Sequence, residues 1–331
     1  MNYRIFALLL TLVSFCPCFA EGEEDNVVNV IAFFSKNDTT KYRETHVKYE
    51  VYGNDTIVKS GYAEEFMLVV RDSTATDYTI ECSSTDFELL LMEPGISDKF
   101  TKLCWDVTKK VPMILKVDSL GKVKEVVNWK EIRDVCQPAF KVACDMIKNE
   151  IDENIISIPV MIAMFNNLTN TEENIRKTTS IIKMFSIYGF SFALGNNKDT
   201  SETLGHPTDV TFDVSVTESN SKEDEELAYE GDYSIKTVSV TKMPATELVN
   251  IGLDLSKQTT TSIGSENIDK NKQAIDEAAK GFGDATITVN EFYSYFYNGW
   301  PKYIGEEKIV DLNAAKIITT SEIEWINFRW Q

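Results

Sequence analysis

The chain has 331 residues, of which 52 are acidic and 33 are basic, so its formal net charge at pH 7 is −19. Such a surface repels phosphate backbones, and no cluster of lysines and arginines interrupts it, which excludes nucleic acid as a partner. Hydrophobic residues make up 43% of the chain, enough for a substantial core, and this excludes global disorder.

The N-terminus predicts a cleavable secretory signal peptide over residues 1–20. Arg4 is followed by an apolar run over residues 5–15 and by Ala20 ahead of Glu21, which is the order typical of such signals. The apolar run is too short to span a bilayer, and no later stretch reaches the ~18 apolar residues that a spanning helix needs. We therefore expect a mature protein that begins at Glu21, has no transmembrane helix and works in the periplasm, in the medium or at the cell surface.

Cys16 and Cys18 stand where a lipid-modified cysteine would stand. Each follows a bulky residue, Phe15 or Pro17, whereas lipoprotein processing favours a small residue at that position. Lipidation is therefore the less favoured alternative to simple cleavage.

Residues 27–127 predict an antiparallel meander. Apolar and β-branched residues alternate there with polar ones, between clusters of Asn, Asp, Gly and Ser. The last two segments flank the Asp-Ser-Leu-Gly turn at 118–121 and predict a hairpin. The predicted strands are 27–34, 45–52, 66–71, 76–82, 87–92, 111–117 and 122–127.

Residues 128–188 predict a helical centre. Asn128 stands three residues before Glu131, which predicts a reciprocal cap at the start of a helix that Pro138 bends. A second predicted helix, 155–165, is apolar nearly all round, so we expect it to be deeply buried. A third begins at residue 170 and ends near residue 189.

Residues 189–331 return to strands. The predicted strands are 190–194, 210–217, 233–241, 285–297, 308–312 and 316–328, with helices at 245–255 and 266–280 and an acidic loop at 218–232. The order of strands, helices and strands predicts an α+β fold in one domain over residues 21–331. In this prediction, antiparallel β-meanders wrap a central group of helices.

Four cysteines remain after signal cleavage. In an oxidising compartment they allow three pairings. Two of them lie eight residues apart on one predicted helix, about 12 Å along its axis, too far to be bridged directly. If oxidised, Cys136 and Cys144 are therefore each expected to pair with Cys82 or Cys104; the alternative is four reduced thiols in the core.

Three tyrosines alternate along one predicted strand. Tyr293, Tyr295 and Tyr297 share one face of that strand. Such a row can line a groove for an apolar ligand or stack on sugars, although ordinary sheet packing is the commoner use of aromatic residues in strands.

No motif of useful specificity points to catalysis, and no cofactor or metal is expected. Ser191 follows a helix and leads into a strand, the reverse of a nucleophile elbow. The two histidines, His46 and His206, are too few for a convincing zinc site or triad. A calcium loop starting at residue 269 is excluded, because Ala274 and Lys280 stand where glycine and glutamate are needed.

Two short stretches carry a resemblance to other proteins. Residues 111–131 combine a strand, the turn at 118–121, a second strand and an Asn-Trp helix start, and residues 298–301 form an Asn-Gly-Trp-Pro turn before long strands. Both stretches resemble uncharacterised exported proteins of Bacteroides-type bacteria. The resemblance implies a home in the periplasm or at the cell surface, and it implies no activity.

Together these features predict an exported, non-catalytic envelope or surface protein that binds an apolar or carbohydrate ligand or an envelope partner. The alternatives are a hydrolase of unrecognised type using paired carboxylates and a structural or adhesive surface component. An apolar cavity would favour the binding protein, and two neighbouring buried carboxylates in a polar cleft would favour the hydrolase.

Overall fold

The computed structural model describes residues 26–92, 96–148, 158–216, 233–251, 279–296, 298–313 and 315–329. The predicted signal peptide with Cys16 and Cys18, the acidic loop 218–232, the first residues of the predicted helix 155–165, most of the predicted helix 266–280 and Tyr297 lie outside these residues.

The described residues are rich in β-structure, which confirms the β-rich character predicted from the sequence. Long strands form where β-branched and aromatic side chains alternate with polar ones, since each strand has a buried and a solvent-facing side. The strands are β1 (Val27–Asn29), β2 (Thr39–Tyr52), β3 (Asp55–Ser73), β4 (Asp77–Met92), β5 (Met113–Asp118), β6 (Val123–Val126), β7 (Ser191–Ala193), β8 (Gly195–Thr203), β9 (His206–Val216), β10 (Tyr233–Pro244), β11 (Asp284–Tyr295), β12 (Pro301–Asp311) and β13 (Ala315–Arg329).

Eleven of these strands form one antiparallel sheet in the order β6-β5-β4-β3-β2-β13-β12-β11-β10-β9-β8, and β1 pairs separately with β7. The N-terminal and C-terminal meanders join where β2 pairs with β13 along almost its whole length, from Tyr52 opposite Ala315 to Thr39 opposite Arg329. The predicted fold, meanders wrapping a central group of helices, is therefore wrong. Local periodicity predicts strands, but it carries no information on this pairing of distant segments.

The helices are α1 (Ile96–Thr108), α2 (Trp129–Ile147), α3 (Ile158–Thr169) and α4 (Glu172–Thr178), followed by a 3₁₀ helix over Ser180–Phe185. They pack on one another and on one face of the sheet, here called the inner face. Helix α1 is absent from the sequence prediction. It is positioned by stacked rings that run from His46 through Tyr62 and Phe87 to Trp105, with centroid separations of 5.2, 5.7 and 5.1 Å.

The cap predicted at Asn128 differs from the observed one. Asn128 precedes α2, but its side chain makes no capping hydrogen bond to the helix backbone. Instead its Oδ1 accepts from the backbone N–H of Ile114, and its Nδ2 donates to the carbonyl of Pro112. The side chain therefore ties the helix start to the β5–β6 hairpin, which is formed as predicted.

Helix α3 is buried on one side only. Met161 and Phe165 are buried, and the Phe165 ring stacks on Phe140 of α2 at 4.1 Å, whereas Pro159 is exposed. Most of the remaining described side chains of the helix are partly exposed, so its burial is less complete than its composition predicts, and the helix packs against α2 and α4.

The inner face carries two hydrophobic clusters. The larger joins the helices, the 3₁₀ helix and the sheet, and it includes Tyr42, Phe66, Phe140 and Tyr295. The smaller lies further along β10–β12 and includes residues of the helical segment 245–251 that follows β10: Met243, Ala245, Leu248, Ala285, Ile287, Val289, Val310 and Leu312. Polar side chains fill the part of the inner face between the two clusters. No helix within the described ranges is long and apolar enough to cross a membrane.

Candidate functional site on the outer face of the sheet

An open groove of about 410 Å³ lies over strands β10–β13. Its floor is Gly305, which stands directly between Phe292 of β11 and Glu322 of β13 in the register of the sheet. Paired residues of antiparallel strands point to the same side, and this side is the outer face, opposite the helices. The groove exists because the central position of this row has no side chain.

Tyr303 leans over that glycine. A Cβ atom placed on Gly305 would lie 2.9 Å from the Tyr303 ring, closer than side chains tolerate. Any other residue at this position would therefore displace the ring and fill the floor of the groove.

Two aromatic rings form the apolar part of the groove. The rings of Phe292 and Tyr303 are 5.7 Å apart and tilted by 51°. Lys236 approaches the Phe292 ring, with its Nζ atom 5.7 Å from the ring centroid. This arrangement offers an aromatic wall flanked by a cation.

The remainder of the groove is acidic and hydrogen-bonding. Burial, and then the charge of Glu322 and its hydrogen bond with the phenol, raise the pKa of Tyr303 to about 12. Asn290 donates to Glu307 with an Nδ2–Oε2 distance of 2.8 Å, which fixes the orientation of that carboxylate. Glu307 and Glu322 outnumber Lys236, so the groove disfavours anionic ligands.

The predicted ligand-facing tyrosines lie elsewhere. Tyr293 and Tyr295 are buried on the inner face. The Tyr293 hydroxyl donates to Glu291 at 2.9 Å, and the Tyr295 ring stacks on Tyr233 at 5.6 Å. Both tyrosines therefore make the sheet-packing contacts that were the alternative interpretation of the row.

The groove residues were not predicted from the sequence, although the alternation of residues in β11 indicated one of them. Phe292 alternates with the tyrosines of β11, so it had to point to the opposite face. Gly305 and Tyr303 belong to the first half of β12, and residues 301–307 were not predicted to form a strand.

The inner face holds neighbouring carboxylates. Glu44 of β2 stands directly opposite Glu64 of β3, and burial raises the pKa of both. Glu44 accepts hydrogen bonds from Ser180 (Oγ–Oε2, 2.5 Å) and from Ser321 (Oγ–Oε1, 3.2 Å). Both of its oxygens are thus engaged by hydroxyls of its own chain.

Two further carboxylates of the inner face are also bound by side chains of their own chain. Glu291 accepts from Thr237 at 2.9 Å and from Tyr293, and Glu306 forms an ion pair of 2.8 Å with Lys183. Ser180 and Lys183 both belong to the 3₁₀ helix, so Glu44 and Glu306 fasten that helix to the sheet. The contacts of these carboxylates support a structural role.

Burial also lowers the pKa of two basic groups on the inner face. Burial lowers the pKa of His46 to about 4, so this imidazole is neutral at pH 7. Burial also lowers the pKa of Lys308 to about 8, against the opposing effect of the Glu306 carboxylate. Within the described ranges, no group of three or more His, Cys, Asp or Glu side chains is placed to hold a metal ion.

All four described cysteines are free thiols in this structure. Cys82, Cys136 and Cys144 are buried, and Cys104 is partly buried. Burial raises the pKa of Cys136 and Cys144 to about 11, and the pKa of Cys104 is raised by burial and by the nearby Cys144. The predicted pairing with Cys82 or Cys104 stays a prediction.

No protein-family model and no curated protein matches the chain. Among solved structures, lipovitellin, described for its lipid–protein interactions, is similar over 89% of this chain at 8% identity and a TM-score of 0.38, and this chain spans 26% of its length. The attachment invasion locus protein Ail of Yersinia pestis is similar over 88% of this chain and 99% of its own, at 4% identity and a TM-score of 0.16. An outer membrane channel from Pseudomonas putida F1 is similar over 93% and 100%, at 5% identity and a TM-score of 0.16. These TM-scores establish no shared fold, so the function has to follow from the residues of this chain.

Proposed function

We propose that this chain is an exported, non-catalytic envelope or surface protein that binds carbohydrate in the groove on the outer face of its sheet. The observation that carries the proposal is the row Phe292–Gly305–Glu322 with Tyr303 leaning over it. Export rests on the predicted signal peptide, 1–20.

The chemistry of the groove suits a sugar better than an apolar ligand. A sugar ring has a C–H face that packs on aromatic rings and an edge of hydroxyls that needs hydrogen-bonding partners. Phe292 and Tyr303 provide the first, and Glu307, Glu322 and Asn290 provide the second. Since the groove is open to solvent, one side of a bound ligand stays in contact with water. A sugar can hydrogen-bond to that water, whereas an apolar ligand gains no hydrophobic stabilisation from a surface that stays hydrated.

The charge of the groove narrows the ligand class. With two carboxylates and one ammonium group along its walls, the groove favours neutral or amino sugars over sulfated, phosphorylated or uronic ones. The position of the neighbouring carboxylates supports a non-catalytic role. Glu44 and Glu64 lie on the face of the sheet opposite the groove, and they bind side chains of their own chain.

Titration calorimetry of the mature protein with neutral and acidic oligosaccharides tests the proposal. We expect binding of a neutral or amino sugar, about fivefold weaker in Tyr303→Ala, since a stacked ring typically contributes about 1 kcal/mol. Gly305→Val should abolish binding by filling the floor.

Tyr49→Ala is the matched control. Tyr49 stands opposite Ile318, on the outer face of β2 and outside the groove, so its removal should leave the affinity unchanged. Absence of binding to every saccharide class, or equal losses in Tyr303→Ala and Tyr49→Ala, would contradict the proposal.

A further inference from the structure

The sheet ends on one side in a strand, β8, whose outer edge is not paired with any strand that the structure describes. At the opposite end the edge strand β6 is covered, because Glu172 of α4 accepts from the backbone N–H of Val126. Strand β8 pairs with β9 on one side, and no strand in the described part of the chain pairs with its other side. Such an edge presents unpaired backbone N–H and C=O groups that can extend the sheet.

The β8–β9 hairpin determines which groups point outward. Leu204 and Gly205 form a two-residue turn with φ angles of 55° and 83°, so Thr203 and His206 close the hairpin. Because hydrogen-bonded positions alternate along an antiparallel strand, Thr203, Ser201 and Asp199 bond to β9. The backbone groups of Glu202, Thr200 and Lys198 therefore point away from the sheet.

We propose that β8 is a homodimer interface, in which two copies of this chain pair antiparallel through β8 about a two-fold axis at Thr200. In this register Thr200 faces its own copy, and Lys198 of each chain faces Glu202 of the other. The three facing pairs exchange about six backbone hydrogen bonds.

Charge supports this register and no other. Lys198 and Glu202 are exposed, and neither makes an ion pair with any described residue. In the proposed pairing both find an opposite charge directly across the interface, twice per dimer. A shift by two residues along the strand would separate them.

A buried hydroxyl supports the same register. The Oγ atom of Ser201 is buried and has no hydrogen-bond partner among the described residues. The two-fold pairing places Ser201 opposite Asp199 of the second copy, on the inner face. In the monomer, Asp199 Oδ1 accepts from the N–H of Thr200 at 2.7 Å. In the dimer that N–H donates across the two-fold axis instead, which frees the Asp199 carboxylate to accept from the Ser201 hydroxyl of the other copy.

Sedimentation velocity of the mature protein across about 1–200 µM tests the proposal. We expect a reversible dimer whose Kd rises at least about tenfold in Lys198→Glu and in Glu202→Lys, because each change places like charges across both facing pairs. The double variant Lys198→Glu/Glu202→Lys restores opposite charges and should return the Kd to within about threefold of the wild type.

Thr200→Pro provides a second test that involves no charge. Proline removes the outward N–H at the two-fold axis and is tolerated on an edge strand, so the variant should fold, with an unchanged circular dichroism spectrum, yet remain monomeric. A wild-type protein that is monomeric throughout the range, or a dimer that none of these changes weakens, would overturn the proposal.

Discussion

Replacement of Glu64 by glutamine should make the protein more stable at neutral pH. Glu64 lies on the inner face beside Glu44, and burial and then the Glu44 charge raise its pKa from 4.5 to about 7, although a hydrogen bond from Ser84 opposes the shift. Between pH 4.5 and about 7, the Glu64 carboxyl group is therefore protonated in the folded protein and ionised in the unfolded chain. Stability from this group is present in acid and falls as the pH rises through that window.

The size of the effect follows from the shift. At about 1.4 kcal/mol per pKa unit, a rise from 4.5 to about 7 costs the wild type about 3 kcal/mol by pH 8. The glutamine keeps the shape and the oxygen that accepts from Ser84, but it carries no charge to bury. We expect Glu64→Gln to match the wild type near pH 4 and to exceed it by about 3 kcal/mol at pH 8.

Urea unfolding of both proteins at several pH values between 4 and 8 measures this difference. Glu65→Gln is the control: Glu65 is the next residue of the same strand, it points to the outer face, and it pairs with Lys41 and Arg43. Loss of such a surface ion pair should change stability by less than about 1 kcal/mol. If the stability curves of Glu64→Gln and the wild type run parallel from pH 4 to pH 8, the reasoning is refuted.

Three further predictions concern other parts of the chain. Gly299→Ala should destabilise the protein by at least about 2 kcal/mol in urea unfolding, since its φ is +80° and the new Cβ would lie 2.4 Å from a backbone oxygen. The control is Gly195→Ala, which has a similar φ of +82° but nothing within 4 Å of the new Cβ, and it should cost only about 1 kcal/mol. Equal losses of stability in the two variants would contradict the steric argument. Protein exported through an oxidising compartment should yield a Cys104–Cys144 peptide in non-reducing mapping, because Cys104 of α1 and Cys144 of α2 lie on helices that pack on each other; four alkylated thiols would show that the core keeps them reduced. The intact mass of the exported protein should fit a chain that begins at Glu21 without an acyl group, and a mass increased by fatty acids would make it a lipoprotein.

Short-range patterns in the sequence predict the local elements well where both partners are close in the chain. The β5–β6 hairpin follows from its turn, in which Asp118 accepts hydrogen bonds from the N–H groups of Leu120, Gly121 and Lys122 and Gly121 adopts a φ of +109°. Alternation likewise predicts most of the strands, since it reflects one buried and one exposed side.

Polar strands and short helices are less visible to the same reasoning. Strand β8 has the sequence GNNKDTSET, which lacks the aromatic and large β-branched residues that mark a strand. It becomes a strand because the two-residue turn holds it against β9. Helix α1 was missed for a related reason, since its position depends on the stacking of Trp105 on Phe87 of β4.

By itself, the sequence determined the acidic charge, the predicted export signal and the two-sided strands, because each of these follows from neighbouring residues. Only the tertiary structure decided that β2 joins β13 into one sheet, that the tyrosines of β11 face the core, and that Phe292, Gly305 and Glu322 meet on the outer face. Such meetings depend on which distant strands bury each other's apolar sides most completely, and no local pattern encodes that competition.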